Sequence, residues 1–169
     1  SLTKTPKMHR LQRNESINES LSLLKKRALY YLGKREYSQF ELRNKLKNYA
    51  ETLNLQISDL DNLLKELQNN QWQSDERFTE LFIESKKNKF GLLRILQELK
   101  IRGIEESVIQ NYLSPLRDEQ AKLLKMIWEK KYKEIPKDQN DKLKQIRFLQ
   151  SRGFDLSLIH KIMSGKEIE

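Results

Sequence analysis

Two phrases of this chain, LQELKIRGI at residues 96–104 and IRFLQSRGF at residues 146–154, echo each other about fifty residues apart. Each carries apolar residues at helical spacing and then stops on Arg-Gly followed by an apolar side chain, Ile104 or Phe154. A third phrase, LRNKLKNYA at residues 42–50, lies about one period earlier. Self-similarity at a fixed period means stacked supersecondary units, each too small to bury its apolar face without its neighbours. The glycine after each second helix stands just past the helix end, where left-handed backbone closes the last turn. The chain is therefore predicted to be all-α, an elongated array of three tandem three-helix repeats. The repeats span 21–72, 73–116 and 117–165, and a basic N-terminal arm, 1–20, expected to be mobile, precedes them.

The individual helices follow from periodicity and caps. Leu21, Leu24, Ala28 and Tyr31/Leu32 recur at spacings of three and four, the mark of an amphipathic helix. This helix is predicted to stop near Arg35. Ser38-Gln-Phe-Glu41 then forms a Ser-x-x-Glu capping box, with Leu42, Leu46 and Tyr49 as the buried stripe behind it. Ser58-Asp-Leu-Asp61 caps a third helix around Leu60, Leu63, Leu64 and Leu67. Ser74-Asp-Glu opens the next, with Phe78, Leu81 and Phe82 on one face. The helix holding Ile95 and Leu99 should end at Gly103, and the helix of Val108 to Leu113 should close before Pro115. Ala121, Leu124, Ile127 and Trp128 begin another helix, Leu143, Ile146 and Leu149 the next, ending at Gly153, and Leu158 to Met163 the last. Trp72 and Trp128 are expected to pack at unit junctions.

Composition agrees with thin repeated cores rather than one thick core. Hydrophobic residues are 37% and charged residues 34% of the 169. Ordinary soluble domains run to roughly 45–50% apolar and about 25% charged. No apolar run is long enough to span a bilayer, and the N-terminal stretch lacks the apolar segment of a secretory signal. With no cysteine, disulfides and thiolate metal sites are excluded. A cytoplasmic protein without a membrane partner is the expectation.

Catalytic constellations are thin. His9 and His160 are the two histidines, there is no phosphate-binding glycine loop, and the carboxylates sit at cap and helix-surface positions. Neither an enzyme nor a cofactor is expected. The net charge of +9 instead favours nucleic acid or an acidic protein surface as partner. The excess is uneven: +8 over residues 1–50, −2 over 51–117 and +3 over 118–169. On the first helix Arg27, Tyr30 and Lys34 fall along one flank, and Arg43 and Lys47 align one turn apart on the second. A ring between cations can stack on a base or a guanidinium group, so these five are the candidate contact residues. An ordinary solvated face is the competing explanation. Ser38, Glu41, Gly103 and Gly153 are the structural motif residues.

Three segments resemble the RecX family. LGKREYSQFELRNKLKNYA (32–50) is similar to its first signature. DERFTELFIESKKNKFGLLRILQELKIRGI (75–104) is similar to the second, through Asp75, Arg77, Phe78, Gly91, Ile95, Leu99, Gly103 and Ile104. RFLQSRGFDLSLIHKIM (147–163) is similar to the third, through Arg152-Gly153-Phe154 and Ile159. Three such segments in order cover nearly the whole chain outside the N-terminal arm. The sequence departs from the pattern at Ala50, where the family often has glycine. The resemblance implies a non-enzymatic regulator, a monomer that binds the RecA recombinase and lies in the groove of RecA–DNA filaments. There it would restrain ATP hydrolysis, filament growth and strand exchange, in DNA recombination, repair and the SOS response. Weak direct binding to DNA is a further expectation. Two other readings stand beside it: a basic helical nucleic-acid-binding regulator that acts without a recombinase, and a neutral repeat scaffold.

Overall fold

A computed structural model describes residues 5–165, and these are all-α, with eight helices and no strand among the described residues. In order they are α1 (Pro6–Leu32), α2 (Gln39–Thr52), α3 (Ile57–Asn69), α4 (Asp75–Lys86), α5 (Leu92–Ile101), α6 (Glu106–Lys131), α7 (Gln139–Ser151) and α8 (Leu156–Met163). The chain divides into two compact units between Phe78 and Thr79.

The first unit is built on α1, α2 and α3. Its core joins Leu24 and Ala28 of α1 to Leu42 and Leu46 of α2 and to Leu60, Leu63, Leu64 and Leu67 of α3. Tyr31, Leu32 and Tyr49 pack at the edge of this core, half-buried. Burying one such leucine contributes roughly 1.5–3 kcal/mol, so the stripes seen in the sequence are the main source of this unit's cohesion. Its α2 starts where the capping residue requires. Ser38 is fully buried, and its hydroxyl accepts from the Glu41 amide at 3.1 Å. A second acceptor comes from far along the chain: the Asp75 carboxylate takes the Gln39 amide at 2.9 Å. The α3 helix is capped at Gln56, two residues before the Ser58 cap expected from the sequence. There Asp59 accepts from the Gln56 amide at 2.8 Å, and Ser58 lies inside the first turn.

Residues 1–4 lie outside the described residues, and the segment expected as a basic arm is helical from Pro6 onward, as the first part of α1. Thr5 caps it by accepting from the Met8 amide, and Pro6 takes the first helical position, where its missing N–H costs nothing. Pro6 to Glu19 is exposed throughout, so these turns add nothing to the core.

The second unit holds α5 to α8. The helix expected to close before Pro115 does not close. Pro115 lies inside α6, which runs unbroken for 26 residues. An interior proline loses one backbone bond and strains the turn, about 3 kcal/mol. Leu113, Leu116, Leu123 and Leu124 are buried on both sides of it and hold the helix in one piece. Ile109 and Leu113 of α6 are buried, as are Ile95 and Leu99 of α5. Leu123 and Leu124, further along α6, join Ile146, Leu149, Phe154 and Ile159 in a separate cluster. One helix thus serves two of the expected repeats. Buried Gln120 ties it to α5, accepting from the Leu92 amide at 2.8 Å.

The glycines after α5 and α7 hold left-handed backbone, with φ of 75° at Gly103 and 97° at Gly153. Two expected core residues are outside the core: Leu81 and Leu143 are about half exposed, while Ile83 takes the buried place on α4. Trp128 packs against the last cluster and donates to Gln145 at 2.7 Å, but Trp72 is exposed, with the Lys25 ammonium 5.4 Å from its ring centroid.

Candidate interaction surface

The five candidate contact residues do not form one patch. On α2, Arg43 and Tyr49 are six positions apart, which places them roughly 120° apart around the helix. The core stripe of Leu42 and Leu46 lies between the two flanks. Arg43 turns to α3 and pairs with Asp61 at 3.0 Å. Lys47, one turn on, is exposed on the same flank as Arg43 and has no ion pair among the described residues.

Arg27 turns the other way, to the seam between α1 and α2. Its guanidinium stacks 3.8 Å from the centroid of the Tyr49 ring. Beside it Lys34 lies 4.5 Å from the Tyr30 ring, and Tyr30 itself is exposed. Two further pairs continue the seam: Lys45 is 5.3 Å from Tyr31, and Arg35 is 3.6 Å from Tyr37. Tyr30, Tyr31 and Tyr37 are themselves in series, with centroids 5.8 and 6.0 Å apart. The structure shows a row of cation–ring pairs along α1 and α2. Arg27, Tyr30 and Lys34 belong to it; Arg43 and Lys47 do not.

Lys45, Tyr31, Tyr37 and Tyr49 were missed as site candidates because the α1–α2 pairing that unites them is tertiary. The signal within reach was Lys45 and Tyr49 at i and i+4 on one helix flank.

Carboxylates temper the basic charge of this unit more than the sequence suggests. Glu66 takes Lys25 at 2.6 Å, Glu41 takes Arg35 at 2.7 Å and Glu36 takes Arg77 at 2.9 Å. Burial works against the Arg35 charge, but the hydrogen bond and field of Glu41, with Tyr37, outweigh it and raise its pKa. Arg35 is thereby a structural cation. It tethers the end of the α1–α2 turn to the first turn of α2, while Ser38 caps that helix. Arg27, Lys34, Lys45 and Lys47 keep charges unmatched by a carboxylate among the described residues.

No group of three or more potential metal ligands is present among the described residues. The surface is suited to holding a polyanion or an acidic protein face, with rings that limit the swing of the cations.

Residues 74–113 match the family model for RecX, second three-helix domain, and residues 118–163 that for RecX, third three-helix domain. The regulatory protein RecX of Ralstonia pickettii is 35% identical over 144 residues, covering 85% of this chain and 88% of that protein. The chain belongs to the RecX family. The RecX of Chromobacterium violaceum is 37% identical, covering 84% of this chain and 90% of its own. Two crystal structures share the fold. RecX from Lactobacillus salivarius has a TM-score of 0.74 at 20% identity, over 88% of this chain and 97% of that one. A second RecX structure has a TM-score of 0.77 at 22% identity, over 98% of this chain and 80% of its own. The RecX domain boundaries bracket Pro115, so the continuous α6 joins the second RecX domain to the third. No helix of the described residues is long and apolar enough to cross a membrane.

Proposed function

We propose that this RecX protein binds the RecA recombinase and RecA–DNA filaments and restrains ATP hydrolysis, filament growth and strand exchange, as a monomer with no catalysis of its own. The observation that carries the reading is the 35% identity with a regulatory RecX relative over 144 residues, about 85% of the chain. The cation–ring seam of α1 and α2 supports it from the physical side, because it offers unmatched charge at Arg27, Lys34 and Lys45 on a backbone fixed by a leucine core. Arg27, Tyr30 and Lys34 are proposed to contact the filament, with Arg43 and Lys47 on a separate flank as secondary contacts. The three expected repeats remain the working division of the chain, and the cytoplasm its place of action.

A pull-down with RecA, with and without single-stranded DNA and at two salt concentrations, tests partner choice. Retention by RecA–DNA above that by DNA alone is expected. Equal retention by DNA alone would overturn the reading in favour of a regulator that binds nucleic acid without a recombinase.

A further inference from the structure

The second unit carries a cleft that the α1–α2 seam does not explain. It is about 410 Å³ in volume and is formed where Lys89, the last turns of α6 and the end of α7 come together. Lys89, Lys130, Lys131 and Arg152 rim it, and no carboxylate lines it. None of these four cations makes an ion pair among the described residues. The floor is apolar, from Met126 and Phe148 with Ile127. Met126 is about half exposed, an apolar side chain left open to solvent at the cleft.

The attraction of a helix C-terminus for lysine accounts for Lys130 and Lys131. Arg152 is likewise the C-cap of α7 and Lys89 lies just beyond α4, so three helix ends bring their cations to one cleft. Arg152 is moreover held in place by its backbone, because its carbonyl accepts the Gly91 amide at 2.6 Å. Its guanidinium lies 5.3 Å from the Phe148 centroid and the Lys131 ammonium lies 5.6 Å from it. The Arg27–Tyr49 stack is closer, at 3.8 Å. Arg152 also lies 5.5 Å from the Phe90 centroid, so two rings hold its guanidinium at the cleft.

We infer that this cleft takes one unstacked nucleotide of a single-stranded nucleic acid, with the base on Met126 and Phe148 and the flanking phosphates on Lys89, Lys130, Lys131 and Arg152. The volume falls in the range of about 300–1,000 Å³ usual for small-ligand sites. Single-strand binders combine just these two elements, an apolar or aromatic platform for the base and cations that track the backbone. A duplex keeps its bases stacked and cannot supply a free base face. An amphipathic partner helix needs anchors spread over two turns, and this hollow is short. The inference draws only its ligand class from the proposed role at a DNA filament.

The test uses the full chain and oligonucleotides alone, without recombinase, so that it stands apart from RecA binding. The probes are a fluorescent oligo-dT and the same strand with abasic sites. The wild type is expected to bind oligo-dT about tenfold more tightly than the abasic strand, the order of a single stacked base. Met126→Asp should remove that difference. Lys89→Glu with Lys130→Glu should weaken both strands and reduce the salt slope by about 0.7 for each phosphate no longer neutralised. Photocrosslinks from a halogenated uracil should map to residues 126–131 and 148–152. Helicity and melting temperature of both variants are measured alongside, since both change exposed side chains and should leave folding intact. Equal binding of intact and abasic strands by the wild type, or crosslinks confined to α1 and α2, would overturn the inference. So would displacement of the oligonucleotide by polyglutamate at equal charge concentration, which would mark the cleft as a seat for an acidic protein segment.

Discussion

Gly91 and Gly153 meet backbone to backbone: a Cβ built on Gly91 would fall on the Gly153 carbonyl, within 2.8 Å of the Phe154 nitrogen. The contact is stapled by two hydrogen bonds, Gly91 to the Arg152 carbonyl at 2.6 Å and Leu93 to the Gly153 carbonyl at 3.0 Å. The first turn of α5 therefore has its orphan amides satisfied by the end of α7 and by Gln120 of α6. These bonds link α5 to the end of α7 alongside the unbroken α6, which packs on both.

Substitutions at this contact should loosen both halves of the second unit together. Gly91 has φ −75°, which alanine adopts freely, so Gly91→Ala acts through crowding alone, about 1–3 kcal/mol. Gly153→Val adds a left-handed backbone penalty of about 1–2 kcal/mol to a clash with Arg94. Segment-resolved amide exchange should accelerate in α5 and α7 alike for both variants, with α2 and α3 unchanged. Acceleration confined to α7 and α8 would restore independent repeats.

Removing the buried cap of α2 should be costly for its size. Ser38→Ala takes away the acceptor for the Glu41 amide, a loss of about 1 kcal/mol. Because Asp75 still holds the Gln39 amide, α2 should remain helical and fray only at its first turn. A melting temperature unchanged from the parent would show that the Asp75 acceptor suffices alone.

The Arg27–Tyr49 stack separates a packing role from a charge role. Tyr49→Phe keeps the ring and should leave stability and filament binding near the parent values. Tyr49→Ala releases Arg27 and loses about 0.5–1 kcal/mol for the exposed cation–ring pair, besides its packing. Calorimetric unfolding of the two variants checks this, and equal destabilisation would mean the ring face is unimportant.

Charge reversal should distinguish the two flanks of the first unit. Arg27→Glu and Lys34→Glu together should weaken filament binding and make its salt dependence shallower by about one unit for each phosphate released. Arg43→Ala should matter less to binding than Lys47→Ala, because Asp61 already takes the Arg43 charge. Binding titrations at several salt concentrations decide, and an unchanged slope for the double reversal would return Arg27 and Lys34 to an ordinary solvated face.

Much of the fold was legible where local rules act alone. The leucine stripes of α2 and α3, the Ser38 cap and the left-handed Gly103 and Gly153 all follow from spacing and backbone sterics. The start of α1 is also written locally, in Thr5 before Pro6, within a segment whose basic charge is equally that of a solvated arm. The unbroken α6 was hidden because proline is a strong local breaker, and only burial of Leu113 and Leu116 on one side and Leu123 and Leu124 on the other reveals what overrides it. The candidate surface was half legible. Arg27 and Tyr30 share a flank of α1, with Lys34 in the turn after it, whereas the separation of Arg43 from them depends on Asp61 of α3, a tertiary partner.

The central claim is that this RecX protein restrains a recombinase through binding and not through chemistry of its own. Purified full chain titrated into RecA ATPase driven by single-stranded DNA tests it most directly. The account predicts that hydrolysis falls with rising protein and that the chain alone hydrolyses no ATP. A rate unchanged at saturating protein, or ATP turnover by the chain without RecA, would contradict it.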